Sequence, residues 1–173
     1  MFYNILFYKK HNKLNSNNKM QISNHFNFVG KKNNLLYNPI MLNLSKDDRS
    51  KFRKFDDLIS NIHNYDCPCK KSKNYKPFQL LWHFLHNLSV NYNSDDKSNK
   101  ILMKFVINNL RRIRCNECRN HYIKYYSNNN IDIIINDNNK CVLYFFNLHN
   151  IINKRNKKKI FNFGIFNKKY KKS

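Results

Sequence analysis

Cys115 and Cys118 stand at C-x-x-C spacing, so their sulfurs can meet within one turn of a helix. At a helix start, with Arg111, Arg112 and Arg114 close by, a thiolate is stabilised and its pKa lowered. Glu117, the only Glu in the chain, opposes this locally. Such a pair serves thiol–disulfide exchange or supplies half of a zinc site. Cys67-Pro68-Cys69 is a second close pair. Cys67, Cys69, Cys115 and Cys118 could together give four zinc ligands, with His121 able to replace one. A structural disulfide plus buried thiols is the third reading. Two further groups accompany the cysteines. Trp82 and His86 are four residues apart on one helical face, and His149-Asn150-x-x-Asn153 places His149 and Asn153 likewise. Converging beside a C-x-x-C, these side chains would suit a flat, polar-edged ring system such as a flavin. Trp82 would stack, and the others would donate and accept.

The elements that must position these residues read as helices. Ser45-Lys46-Asp47-Asp48 is a helix start, followed by an apolar stripe of Phe52, Phe55, Leu58, Ile59 and Ile62. A Lys-rich loop carrying Cys67 and Cys69 leads to Lys76-Pro77. Phe78, Leu81, Trp82, Leu85, His86 and Leu88 then line one face of a first bundle helix. Asn93-Ser94-Asp95-Asp96 caps a second, which carries Ile101, Leu102, Phe105, Val106 and Leu110. The C-x-x-C opens a third, with Cys118, Tyr122, Tyr125 and Tyr126 near one face. Ile131 to Ile135 is β-branched enough to form a short strand. A fourth helix, capped by Asp137-Asn138-Asn139, bears Val142, Phe145, Phe146, His149, Ile152 and Asn153. Ile160, Phe161 and Phe163 form a short docking segment. The expected fold is all-α: a four-helix bundle with a short fifth helical segment, preceded by a basic low-complexity arm. The expected divisions are a disordered Asn/Lys-rich arm over 1–44, a helix and Cys-Pro-Cys linker over 45–76, the bundle over 77–163, and a basic tail over 164–173.

Composition bounds the function classes. The 173 residues include 33 Lys and Arg against 10 Asp and Glu, a formal charge of +23. The chain is rich in Asn and lacks Ala, the mark of A/T-rich codons, which raise Lys without selection for a phosphate partner. Nucleic acid is thus expected to bind only non-specifically. No stretch reaches the roughly 20 apolar residues that a membrane span needs. Residues Met1 to Tyr8 precede Lys9 and Lys10, the wrong order for a secretory signal, and no acid occurs before Asp47, as in an organelle transit peptide.

The motifs Trp82-His83-Phe84-Leu85-His86, Cys115-x-x-Cys118 and His149-Asn150-Ile151-Ile152-Asn153 resemble, in order and spacing, those of the Erv/ALR family of FAD-dependent sulfhydryl oxidases. Tyr92 falls near the family's aromatic position after the first motif, and Lys158 near the basic residue that approaches the FAD phosphates. The resemblance covers roughly residues 77 to 162. Arg114 stands where members often have Pro, and Cys141 stands near a structural-disulfide position without a nearby partner. The resemblance implies FAD held by Trp82, His86, Tyr92, Cys118, His149, Asn150, Asn153 and Lys158, with no metal. Cys115 and Cys118 would be catalytic. A reduced protein thiol or small shuttle protein would attack Cys115, the more exposed sulfur, leaving Cys118 as a thiolate against the flavin. Electrons would pass to oxygen or cytochrome c. Cys67 and Cys69 would be a shuttle pair relaying electrons to the bundle. A homodimer is the family's usual assembly. Its cellular members work in the mitochondrial intermembrane space or secretory pathway, and its viral members in the host cytoplasm. A basic zinc-binding or nucleic-acid-binding module is the alternative.

Overall fold

A computed structural model describes residues 39–62 and 76–170, and every regular element in it is helical. Cys67 and Cys69 lie outside the described residues. Helix α1 (Lys46–Ser60) starts where Ser45 Oγ accepts the Asp48 amide at 3.1 Å, and it buries Phe52, Phe55 and Ile59 at helical spacing. Helix α2 (Lys76–Val90) turns Phe78, Leu81, Leu85 and His86 inward. Helix α3 (Lys97–Asn109) is capped by Asp96, which accepts the Asn99 amide at 2.9 Å, and it runs into a 3-10 turn over Leu110–Arg112. Helix α4 (Asn116–Ser127) has Cys115 itself as its N-cap. Helix α5 spans Ile131–Ile135, α6 Asn138–Arg155 and α7 Phe163–Tyr170.

Helices α2, α3, α4 and α6 make the bundle. Helix α2 runs along α6, and α1 covers α2 and α3. Phe55 packs on Phe84 and Phe105, both with ring centroids 6.0 Å away, at the junction of α1, α2 and α3. Helix α1 is also fastened by a buried carboxylate. Asp48 is 1 % exposed and accepts from Ser98 Oγ at 2.5 Å and Asn99 Nδ2 at 3.0 Å, at the start of α3. Helix α4 joins α6 through Tyr122, whose hydroxyl lies 3.1 Å from that of Tyr144, and through Tyr125, which donates to the Tyr144 carbonyl at 3.0 Å.

Two segments differ from the sequence expectation. Ile131 to Ile135 is a helical turn, not a strand, because Asn130 caps it at the Ile133 amide and Ile134 and Ile135 are buried against α6 and α3. Local β-propensity loses to burial here. The basic tail expected from residue 164 is instead helix α7, with Phe166 at 0 % and Tyr170 at 7 % exposure. Its lysines face out while its aromatic residues reach the bundle.

Candidate active site

The start of α4 brings the two sulfurs together. Cys115 Sγ lies 2.7 Å from Cys118 Sγ and accepts the Cys118 amide N–H at 3.3 Å, so a member of the cysteine pair doubles as the helix cap. That separation is within reach of disulfide closure. Their exposure reverses the sequence expectation. Cys115 is only 2 % exposed, beneath the bend that leads from Ile113 into α4, whereas Cys118 is half-buried and lines a cleft. A residue one turn into a helix faces whatever its neighbours leave open, and here they leave a cavity.

That cleft is walled by Phe78, Leu81 and Trp82 of α2, Leu148 and Ile152 of α6, and Cys118 and Tyr122 of α4. Trp82 stacks on His149 at 4.2 Å with the rings 3° from parallel. His149 Nδ1 lies 2.8 Å from His86 Nε2, which joins α2 to α6 through three rings. His86 is fully buried, and its Nδ1 has no hydrogen-bond partner among the described residues. Burial, then the neighbouring His149, Lys169 and His83, press the His86 pKa down to about 3. Burial, then Lys158 and Lys169, press that of His149 to about 4. Both imidazoles are neutral at pH 7, so one ring nitrogen of the pair donates and the other accepts.

Of the residues read from the sequence, Trp82, His86 and His149 meet in one stack beside the cleft that Cys118 lines. The others are placed differently. Asn150 gives its whole amide to Phe161, donating to the carbonyl at 3.0 Å and accepting the N–H at 2.8 Å. It borders a separate open groove with Ile151 and Ile160. Asn153 accepts the Lys158 amide on its carbonyl at 2.8 Å, where a left-handed Lys157 (φ 53°) reverses the chain after α6. That turn keeps the exposed Lys158 near His149. Tyr92 is 5 % exposed and donates to the Ile135 carbonyl at 2.5 Å, so its hydroxyl is committed to α5 and it does not line the cleft. Cys141 is fully buried with its thiol 3.3 Å from the Ile134 carbonyl.

Sequence reasoning missed Arg155. It lines the cleft with Cys118 and pairs with Glu117, inside the C-x-x-C. Burial and the adjacent Cys115 push the Cys118 thiol well above its ordinary value, and Arg155 is the cation that pulls it back. That role was expected of Arg111, Arg112 and Arg114, but the effective charge comes from the far end of α6. The only Glu in the chain and one of its few Arg, next to the third motif, were the available signal. Phe166 and Tyr170, which join Phe161 in an aromatic roof, were missed as well. Phe166 meets His86 edge-on at 5.1 Å, and Phe146 ties α6 to Phe161, Phe163 and Phe166.

The Erv1 / Alr family profile matches residues 79–171, which include all three motifs and α7. One relative, of Invertebrate iridescent virus 3, is named as an FAD-linked sulfhydryl oxidase, 096R. It is 26 % identical over 77 residues, covering 43 % of this chain and 52 % of the relative, so the match spans about half the length of that protein. No solved structure matches the chain. With the profile covering more than half of the residues, and with its cysteine pair, Trp–His stack and helical bundle in one place, the chain belongs to the Erv1 / Alr family.

Proposed function

We propose that the protein is an FAD-dependent sulfhydryl oxidase that forms disulfide bonds in protein substrates. The observation that carries this reading is that Cys118, of a sulfur pair 2.7 Å apart, lines the same cleft as Trp82. The residues fit a flavin. The cleft walls are apolar, and behind Trp82 the buried His86 Nδ1 is a polar atom without a partner among the described residues. Trp82 lines the cleft with His149 stacked on it and Lys158 near His149, while the Asn150 side-chain amide holds the chain at Phe161. FAD, when bound, would supply a two-electron acceptor for the thiol pair, reoxidised by oxygen to give hydrogen peroxide or by another acceptor.

The protein's own residues carry the exchange. In the oxidised pair, a substrate thiolate attacks Cys115 Sγ, the Cys115–Cys118 bond breaks, and Cys118 leaves as a thiolate. A second substrate thiolate then attacks the mixed disulfide, completing the substrate disulfide and releasing Cys115. The substrate loses two electrons and two protons, and the cysteine pair gains the electrons. Arg155 stabilises the Cys118 thiolate against the desolvation of its site. Because Cys115 is buried, the substrate must uncover it. The test is spectroscopic. Purified protein should be yellow, release FAD on denaturation and consume oxygen with dithiothreitol. Colourless protein holding stoichiometric zinc would overturn the reading in favour of a metal-binding module.

A further inference from the structure

We propose that the arginines flanking the C-x-x-C form a docking surface for a protein segment that presents carboxylates beside its thiols. The use of this surface rests on the oxidase reading; its binding chemistry does not.

The chain has seven arginines among its 33 basic residues, and lysine supplies the rest. Four of the seven, Arg111, Arg112, Arg114 and Arg119, fall within nine residues that bracket Cys115 and Cys118. A fifth, Arg155, reaches the same place through Glu117. Skewed codon usage explains lysines spread over the whole chain, but it does not gather arginines at one turn. Arginine differs from lysine in its planar fork, which grips a carboxylate with two parallel hydrogen bonds.

Two of the five are already engaged inside the molecule. Arg112 holds Asp56 of α1 at 2.8 Å, and Arg155 holds Glu117. The other three point to something outside. Arg111 and Arg114 are exposed, and the half-exposed Arg119 donates to the Asn116 side-chain carbonyl at 2.7 Å. Among the described residues, no carboxylate pairs with any of these three. With Cys115 only 2 % exposed, a thiol that merely collides gains little, and a substrate held by its carboxylates stays while the sulfur is uncovered. Phosphates would also satisfy guanidinium groups. However, the three bracket a sulfur pair in sequence, and exchange with that pair needs a partner thiol, which favours a cysteine-bearing protein over a nucleic acid.

The test uses the full-length protein and three fluorescent probes: an Asp-flanked peptide with Ser in place of its two Cys, the same peptide flanked by Gln, and a single-stranded oligonucleotide. Anisotropy at low salt is compared for native protein, for Arg111→Gln/Arg114→Gln/Arg119→Gln, and for Lys46→Gln/Lys97→Gln/Lys168→Gln, which loses the same charge elsewhere. The Asp peptide should bind about tenfold tighter than the Gln peptide, a gain that salt weakens. The arginine variant should lose that preference and the lysine variant should keep it. Equal loss in both variants would overturn the proposal, as would an arginine variant that loses only oligonucleotide binding. Turnover of dithiothreitol by the native protein, measured alongside, tests the oxidase reading separately.

Discussion

Cys115 and Cys118 have the same chemistry and different surroundings, so their variants should part company. Burial, then Cys115, raises the Cys118 thiol; replacing Cys115 by Ser removes the second cause and leaves Arg155 to stabilise a thiolate beside the flavin. Cys115→Ser should therefore lose turnover yet gain a long-wavelength shoulder in the flavin spectrum. Cys118→Ser should lose turnover without it, and a shoulder in that variant would reverse the assignment. Arg155 and Glu117 act on Cys118 with opposite sign. In a Cys115→Ser background, Arg155→Gln should move the Cys118 thiolate titration to higher pH and Glu117→Gln to lower pH, followed by ultraviolet thiolate absorbance. A residue that only braces the fold would leave that titration where it was. The meeting of the two cysteines was legible in their spacing. Their burial was not, because it depends on how the turn over Leu110–Arg112 and Ile113 folds against the bundle, and no short motif encodes that.

At the scale of elements, helices α1, α3 and α6 were legible because each carries a cap and an apolar stripe that agree. Helix α7 was not. Its lysines mimic a solvated tail, and only the tertiary meeting of Phe166 with His86 and Phe146 makes it structure. Phe166→Ala should cost about 3–5 kcal/mol in a denaturant titration, the usual range for emptying a fully buried aromatic site. An unchanged midpoint would mean that α7 contributes no core. Asn150→Ala should loosen the same segment, because two hydrogen bonds to Phe161 go at once. The Cys67–Cys69 pair belongs to the shuttle we propose. Cys69 is seven residues before Lys76, where α2 begins, so the pair is tied in sequence to the helix that carries Phe78 of the cleft wall. Changing both cysteines to Ser should slow oxidation of a protein substrate while sparing dithiothreitol turnover. Full activity on the protein substrate would remove the shuttle.

At the scale of the whole molecule, the joint between α2 and α6 is a pair of neutral, buried imidazoles. Sequence alone placed both histidines on apolar faces without revealing that they bond to each other. That contact makes fold stability depend on pH. Unfolded, each imidazole takes a proton near pH 6.5; folded, His149 resists down to about 4 and His86 to about 3. Between those values the unfolded chain holds the extra protons, so stability is full above pH 6.5 and falls as pH drops through the window. Each unit of depression is worth about 1.4 kcal/mol, which puts the total for either histidine at a few kcal/mol. Carboxylates paired in the fold, such as Asp48, protonate mainly below pH 5 and add their own losses there. The interval from pH 6.5 to 5 therefore reports on imidazoles. Thermal melts should show a midpoint that declines steadily across it, and replacing His86 and His149 together by Phe should flatten that decline even if the variant melts lower throughout. A midpoint that holds constant from pH 6.5 to 5 in the native protein would show that the pair is not buried neutral, and with it would go the three-ring joint between the helices.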